Sequence, residues 1–366
     1  SLIRGGPPGG DADSGPLGEA ARELGAAASG VGCTIDRLAL TQVGEINARK
    51  EAPMLIHGWT EAAGRPTSWG RDQFVDGGAF AGFRQYVKGR DVQRKRDAQG
   101  AACVAPTSEY VKLLEEAEGS ASLLLFTNDI ENKPFFTALE PDYKVPDVPV
   151  LESISGFRQF SGGVPGSSHA FHAHGEAWIG QVVGSKMWWL LPPSAPKPPK
   201  DDPCGYLRGA ASPPKETLTC LQQTGDIVYL PKGWYHATCA LGVWNSAVGA
   251  QYKPPADKGP INQDFAPLSD VFVDGTGAEK VPQWYGDAGL FRHHMRECGV
   301  ALGDAGEEWK WFDGDVNEYY NALEKDHTGR DPKDLGSIAV HRWLGEKHST
   351  LEHYNLIHSA IGRLYA

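Results

Sequence analysis

Two histidine motifs, each opened by a glycine, constrain the fold of this chain more than any other feature of its sequence. The first reads Gly-x5-His-x-His and places His172 and His174 two residues apart. The second reads Gly-x5-Pro-x-Gly-x2-His and ends at His236. Residues two apart on a β-strand project from the same face, so His172 and His174 would present two imidazoles to one side. The pattern therefore predicts strands that carry histidine side chains on one face.

Short β-rich runs surround both motifs. Residues 188–191 (WWLL), 226–230 (DIVYL) and 243–248 (VWNSAV) alternate with glycine and proline punctuation. Many short strands separated by turn signals are typical of a sandwich or barrel. We therefore expect a mainly β protein with flanking helices. The proline-rich stretch 192–214 would be a long excursion between two of the strands.

The N-terminal part of the chain divides into an arm and a lead-in. Residues 1–30 are rich in Gly, Ala and Pro, and they predict a disordered arm because so few large apolar side chains cannot offset the entropy of ordering. Residues 31–150 predict an α+β lead-in packed on the core. Within it the patterns predict helices over 73–87 and 108–117 and a strand over 122–127.

The C-terminal part of the chain divides into a barrel and an extension. Residues 151–255 hold the β-rich runs and predict the barrel, and residues 256–366 predict a helical extension. The last predicted helix carries an apolar stripe. This stripe fits either packing against the chain's own β-domain or a homodimer contact.

Charge and composition exclude several classes of function. The chain has 46 Asp and Glu against 35 Lys and Arg, a net charge of −11, which disfavours nucleic acid as a partner. No run approaches the roughly 18 apolar residues that a membrane-spanning helix needs. The six cysteines contain no C-x-x-C pair and predict no thiolate metal site. Cys204 and Cys220 bracket a loop rich in proline and glycine, which fits either a disulfide in an oxidising compartment or reduced core residues.

The histidine spacing points to metal chemistry. Two imidazoles on one strand face can chelate a first-row metal, and His236 can supply a third ligand. Neutral imidazoles suit iron, although ligand type alone does not exclude zinc, nickel or copper. Glu176, two residues beyond His174, could instead complete a triad of two histidines and one carboxylate. The third ligand stays open between His174 and Glu176.

Together the two motifs resemble the paired motifs of the cupin superfamily, whose fold is a double-stranded β-helix or jelly roll. More narrowly, residues 184–189 (GSKMWW), 225–231 (GDIVYLP) and 234–236 (WYH) resemble the JmjC (jumonji) family of Fe(II)- and 2-oxoglutarate-dependent oxygenases. The resemblance covers about residues 31–252. It implies a jelly-roll core, Fe(II) as the metal and 2-oxoglutarate as the cosubstrate.

The resemblance also implies roles for single residues. His172 and His236 would be iron ligands, with His174 at the third ligand position, and Lys186 would pair with the far carboxylate of 2-oxoglutarate. A fixed cation deep in a barrel suits a dicarboxylate. No catalytic side chain beyond the metal centre is implied. Two positions depart from the family pattern: His-x-His stands for the usual His-x-Asp/Glu, and the polar residue usual after the distal histidine falls on Ala250.

Three functions are compatible with these residues. The first is an oxygenase that hydroxylates a C–H bond, with a protein or peptide as substrate by family analogy. The second is a non-catalytic JmjC-like scaffold or folding partner with a structural metal, which the His-x-His motif and Ala250 favour. The third is a three-histidine cupin enzyme that uses no 2-oxoglutarate, which leaves Lys186 unexplained. The resemblance suggests the endoplasmic-reticulum lumen as the compartment.

Overall fold

The computed structural model describes residues 15–88, 103–116, 123–154 and 156–252. All of these except Cys103 belong to one compact unit, formed by residues 1–93 and 104–272. The second unit, residues 94–103 and 273–366, otherwise lies outside the described residues. The predicted helical extension at 256–366 and its apolar stripe lie outside them as well.

Short helices flank the sheets in the described part of the chain. The α-helices are α1 (Pro16–Ser29), α2 (Val43–Ala48), α3 (Thr107–Glu116), α4 (Lys133–Leu139), α5 (Pro149–Glu152) and α6 (Pro203–Leu207). Single 3-10 turns are found at Glu61–Ala63, Arg71–Gln73 and Glu140–Asp142. Among these described helices, none combines the length and the apolar character that crossing a membrane requires.

Strands make up most of the remaining regular structure. They are β1 (Asp36–Ala39), β2 (Met54–His57), β3 (Arg84–Tyr86), β4 (Val104–Pro106), β5 (Leu125–Asn128), β6 (Gly156–Gly163), β7 (Ser168–His172), β8 (Ala177–Val183), β9 (Ser185–Leu191), β10 (Leu218–Gln223), β11 (Asp226–Leu230), β12 (Tyr235–Ala240) and β13 (Asn245–Tyr252). The runs at 188–191, 226–230 and 243–248 thus lie in or overlap β9, β11 and β13, as predicted.

Two sheets form the core of the fold. The large sheet has the strand order β1-β2-β11-β8-β13-β6-β5, and the small sheet has the order β10-β9-β12-β7. Strands distant in sequence are neighbours in both sheets, and all pairs within them are antiparallel except β1 with β2. This arrangement confirms the predicted mainly β class with a jelly-roll core of the cupin and JmjC type. The lead-in contributes β1, β2 and β5 to the large sheet.

The two sheets pack face to face around a common interior. One apolar cluster joins Ile179 and Val228 of the large sheet to Trp188 and Leu190 of the small sheet. Alternation along β9 places Lys186, Trp188 and Leu190 on this inner face, and the residues between them on the outer face. The inner faces therefore bound a closed apolar core that continues into a polar mouth.

Helix α1 shows that the prediction of a disordered arm is wrong for residues 16–29. Alanine is the strongest helix former, and Pro16 occupies the first turn, where its missing N–H costs nothing. Leu24 and Ala28 are buried against the outer face of the small sheet. These two contacts supply the packing energy that the composition alone does not reveal. Residues 1–14 lie outside the described part.

The lead-in confirms one predicted helix and corrects another. The helix predicted over 108–117 is α3, and the strand predicted over 122–127 overlaps β5. The helix predicted over 73–87 is wrong, because two adjacent glycines adopt a turn there. Gly77 has a φ of +85°, and a Cβ at Gly78 would lie 2.3 Å from a backbone oxygen. The chain then continues into strand β3.

Among the described residues, disulfides join Cys33 to Cys220 and Cys204 to Cys239. The sequence left open whether Cys204 and Cys220 pair with each other, and the structure pairs each of them with another cysteine. Cys220 lies on the inner face of β10, opposite Trp188, whereas Cys204 lies on α6 against the outer face of the small sheet, where Cys239 projects. The sheet itself separates Cys204 from Cys220.

Candidate metal centre

Three histidines converge at the polar mouth of the barrel. His172 ends β7 and lies directly opposite His236 of β12, and His174 follows β7 by two residues. The ligand atoms of the three side chains all lie within 4.8 Å of one another. One metal ion could contact all three after small side-chain adjustments.

Local backbone contacts orient all three imidazoles in the same way. The Nδ1 atom of each histidine lies 2.7 to 3.0 Å from the carbonyl oxygen of a residue one or two positions away. A carbonyl can only accept a hydrogen bond, so each Nδ1 carries the proton and donates it. Each Nε2 then keeps a free lone pair, which is the form that a metal ion requires.

Burial keeps these imidazoles neutral. Desolvation lowers the pKa of His172 to about 4 and lowers the pKa of His174. The pKa of His236 lies well below its usual range, mainly because of desolvation and secondarily because a charge on His172 would repel it. A neutral imidazole competes for a metal without first losing a proton.

Glu176 does not belong to this group. Among the described histidine, cysteine and acidic side chains, only His172, His174 and His236 come together at ligand distance. The Glu176 charge instead acts on Tyr229, where it raises the phenol pKa after the larger effect of burial. The geometry therefore favours the three-histidine set over the alternative triad with Glu176.

A cavity of about 160 Å³ lies between the sheets beside the histidines. One water requires roughly 10–15 Å³ by the same measure, so a small organic molecule has room here. The polar lining residues are Gln159, Ser161, His169, His172, His174, Lys186, His236, Thr238 and Gln251. The apolar lining residues are Leu124, Phe126, Ala177, Trp178, Ile179, Trp188 and Leu230.

Lys186 places a buried cation in this cavity. Its side chain is only 4% exposed, and its Nζ donates a 3.1 Å hydrogen bond to Ser161 Oγ across the barrel. Lys186 forms no ion pair with any acid in the part of the chain that the structure describes. Desolvation lowers its pKa to about 8. A cation without a counter-charge in a cavity is suited to an anionic ligand.

Comparison with known proteins agrees with the fold. No family model matches the chain. The chain is 31% identical over 147 residues to JmjC domain-containing protein 8 of Homo sapiens, which covers 37% of this chain and 54% of the human protein. The Mus musculus protein of the same name is 30% identical over 151 residues, covering 37% and 53%.

Over the matched stretch the chain is similar to these JmjC domain-containing proteins. It spans about half the length of the curated relatives that it matches. The mainly β jelly-roll core agrees with this similarity.

The site contains a fourth histidine that the sequence motifs do not reveal. The ring of His169 lies 3.9 Å from that of His172, centroid to centroid. The two are three residues apart, yet they oppose Thr238 and His236, which are two apart on β12. A β-bulge absorbs the extra residue and turns both imidazoles inward. Simple alternation along β7 would have placed His169 on the outer face.

Two glutamines of the site are also not part of the sequence motifs. The position that the family pattern expects to be polar is Ala250, which pairs with Trp178 on the outer side of the large sheet. The next residue, Gln251, lines the cavity, as does Gln159 on β6. A shift of one residue along a strand exchanges its two faces. Both glutamines can be identified from strand alternation, by counting in steps of two from a residue that is known to face inward.

Proposed function

We propose that this chain is a JmjC-type oxygenase that binds Fe(II) through His172, His174 and His236 and binds 2-oxoglutarate beside Lys186. Its substrate would be a protein or peptide side chain. One observation carries the proposal: three neutral, convergent imidazoles share a cavity with a buried cation that has no acidic partner among the described residues. When bound, the metal and 2-oxoglutarate supply the activation of O₂ that hydroxylates a C–H bond.

The donor set fits a first-row metal. The ligand atoms of the three histidines lie within 4.8 Å of one another, and the Nδ1 contacts to backbone carbonyls hold the rings in place before a metal arrives. Three neutral ligands leave the full charge of a divalent ion uncompensated. The mouth of the cavity would then attract an anionic group more strongly than a site with a carboxylate ligand.

Lys186 and Ser161 fit the far carboxylate of 2-oxoglutarate. A charge-assisted hydrogen bond from Nζ is stronger in this buried setting than at a surface. The Ser161 hydroxyl accepts from Lys186 and can at the same time donate to a carboxylate oxygen. Trp188 and Leu230 line the same cavity and would shield the bound cosubstrate from water.

A non-catalytic JmjC scaffold with a structural metal is the second candidate. The observation that favours it is the lack of a carboxylate in the histidine group within the described residues. A three-histidine cupin enzyme that uses no 2-oxoglutarate fits the same lack. Both candidates leave the buried cation of Lys186 without a role, and for this reason we place them behind the oxygenase.

The disulfides support a proposal about the compartment. Cys33–Cys220 and Cys204–Cys239 each join segments that are distant in sequence, with separations of 187 and 35 residues. Disulfides persist in oxidising environments and are rare where glutathione keeps thiols reduced. We propose an oxidising compartment such as the endoplasmic-reticulum lumen, in line with the family resemblance.

The test begins with anaerobic addition of Fe(II) and then 2-oxoglutarate to the metal-stripped full chain. We expect a visible metal-to-ligand charge-transfer band, and release of succinate when air is admitted. His236→Ala should lose both signals. His57→Ala, which removes an exposed histidine at the end of β2, should keep them and serves as the matched control.

Different failures of this test have different meanings. Metal uptake with neither band nor succinate supports the second candidate, the scaffold or the cupin without 2-oxoglutarate. Succinate release that survives His236→Ala would sink the proposed ligand set.

A further inference from the structure

The wall of the cavity formed by the large sheet carries two inward-facing glutamines. Ser161 points inward because it accepts the hydrogen bond from Lys186 across the barrel, and Gln159 lies two residues away on the same strand face. Gln159 pairs with Gly249 on β13, and Gln251 lies two residues beyond Gly249. Both glutamine side chains therefore project toward the cavity, as its lining shows.

The side-chain amides of Gln159 and Gln251 make no hydrogen bond within the part of the chain that the structure describes, although Gln159 is only 5% exposed. Each amide offers two N–H donors and one acceptor oxygen. These two groups thus stand ready to pair with a ligand that brings both an acceptor and a donor.

The spacing allows the two side chains to meet on one group. Gln159 and Gln251 are diagonal neighbours on adjacent strands, a relation that separates the residues by about 7–8 Å. Gly249 lies directly opposite Gln159 and brings no side chain of its own between the two glutamines. Two glutamine side chains can span this gap from both sides.

The charge of the lining restricts what such a ligand can be. Lys186 is the one lysine among the described lining residues, which include no aspartate, glutamate or arginine. A lysine or arginine side chain would enter without a counter-charge, and a carboxylate would be drawn to Lys186 instead. The ligand that fits the two glutamines is therefore uncharged and carries both a donor and an acceptor.

We propose that Gln159 and Gln251 together bind the primary carboxamide of an asparagine or glutamine side chain and hold it over the three histidines. The inference rests on the proposed function, because it names the substrate class of that same site. A carboxamide satisfies both glutamines at once, since its oxygen accepts from one amide while its N–H donates to the other.

The test uses the metal-free full chain, so that its outcome does not depend on iron. Capped amino acids, N-acetyl-Asn-N-methylamide and N-acetyl-Gln-N-methylamide, are titrated by saturation-transfer NMR beside the Leu, Met and Lys analogues, so that no probe carries a primary carboxamide on its backbone. Leu and Met match Asn and Gln in shape without the carboxamide. We expect the Asn or Gln probe to bind at least about fivefold more tightly than its analogue, and each of Gln159→Met and Gln251→Met to remove about that factor.

Gln223→Met changes an exposed glutamine at the end of β10 and should leave the preference intact. Circular dichroism checks the fold of each variant. If Gln159→Met does not fold, Gln251→Met, at a half-buried position, is sufficient for the test.

Equal binding of carboxamide and apolar probes would overturn the inference. So would glutamine variants that lose 2-oxoglutarate affinity but keep the carboxamide preference. A missing charge-transfer band with the preference retained would count against the oxygenase and not against carboxamide binding.

Discussion

The two faces of the small sheet are built from the same strands and are chemically opposite. On the outer face, Met187, Trp189 and Cys239 pack with α1 and α6 in an apolar cluster. On the inner face, Lys186 and His236 carry polar groups into a cavity. Neighbouring residues of one strand thus serve stability on one side and binding on the other.

This difference shows where the stability of the site comes from. Polar groups that await a ligand destabilise the inner face, and the close-packed outer face offsets that cost. The Cys204–Cys239 disulfide fixes α6 to the outer side of β12, the strand that carries His236. Substitutions on the two faces should therefore change the free energy of unfolding in opposite directions.

The largest effect is expected on the outer face, at Trp189. Its side chain is 2% exposed and packs edge-on against Tyr206 at a centroid distance of 5.5 Å. Trp189→Ala should lower the free energy of unfolding by about 4 kcal/mol, because the cavity left behind adds to the lost burial. Urea unfolding followed by far-UV circular dichroism measures this. A loss below about 1 kcal/mol would show that the outer face does not carry the stability of the sheet.

Removal of the outer disulfide should have the next largest effect. Cys204→Ser with Cys239→Ser frees a loop whose ends are 35 residues apart, and we expect a loss of about 3 kcal/mol. Because α6 packs behind the histidine strand, Co(II) affinity should also fall in this variant. The same pair of substitutions at Cys33 and Cys220 is the control: stability should fall, with a smaller effect on Co(II) affinity because that bridge joins β10 and not β12.

On the inner face, Lys186→Met should stabilise the protein. A fall of the pKa from 10.5 to about 8 corresponds to about 3 kcal/mol of unfavourable burial. Loss of the hydrogen bond to Ser161 costs about 1 kcal/mol, so we expect the free energy of unfolding to rise by about 2 kcal/mol. The same variant should lose 2-oxoglutarate binding.

The pH dependence gives an independent check on this variant. Between about pH 8 and 10.5 the unfolded chain holds the Lys186 proton that the folded chain has released, so the stability of the wild type rises with pH. The advantage of Lys186→Met should therefore be full below about pH 8 and disappear toward pH 10.5. An advantage that does not change across this range would mean that the lysine is not a buried cation.

The faces also mark the limit of what the sequence predicts. The runs at β9 and β11 and the two histidine motifs are local patterns, and the structure brings their three histidines together. Those predictions succeed because strand period and turn residues act over a few positions.

Features that depend on the register between strands were not predictable in this way. The β-bulge that turns His169 inward and the single residue that separates Ala250 from Gln251 are set by the pairing of neighbouring strands. The pairing of Cys204 depended on which side of the sheet it faces, and helix α1 depended on a surface against which it could pack. Each of these features is determined only when the strands have assembled into a sheet.

The smallest expected effect concerns the residue that the sequence left open as a ligand. Glu176→Gln should leave Co(II) affinity within about twofold of the wild type, because this carboxylate stands outside the histidine group and acts on Tyr229 instead. His174→Gln should weaken affinity by more than the roughly 10–100-fold that loss of an outer hydrogen bond to a ligand costs. The absorption of Co(II) in the visible range reports both titrations. If Glu176→Gln weakens Co(II) affinity strongly and His174→Gln does not, then Glu176 is a metal ligand in place of His174. The inner face of the barrel would then rearrange on metal binding, while the close-packed outer face keeps the strands in register.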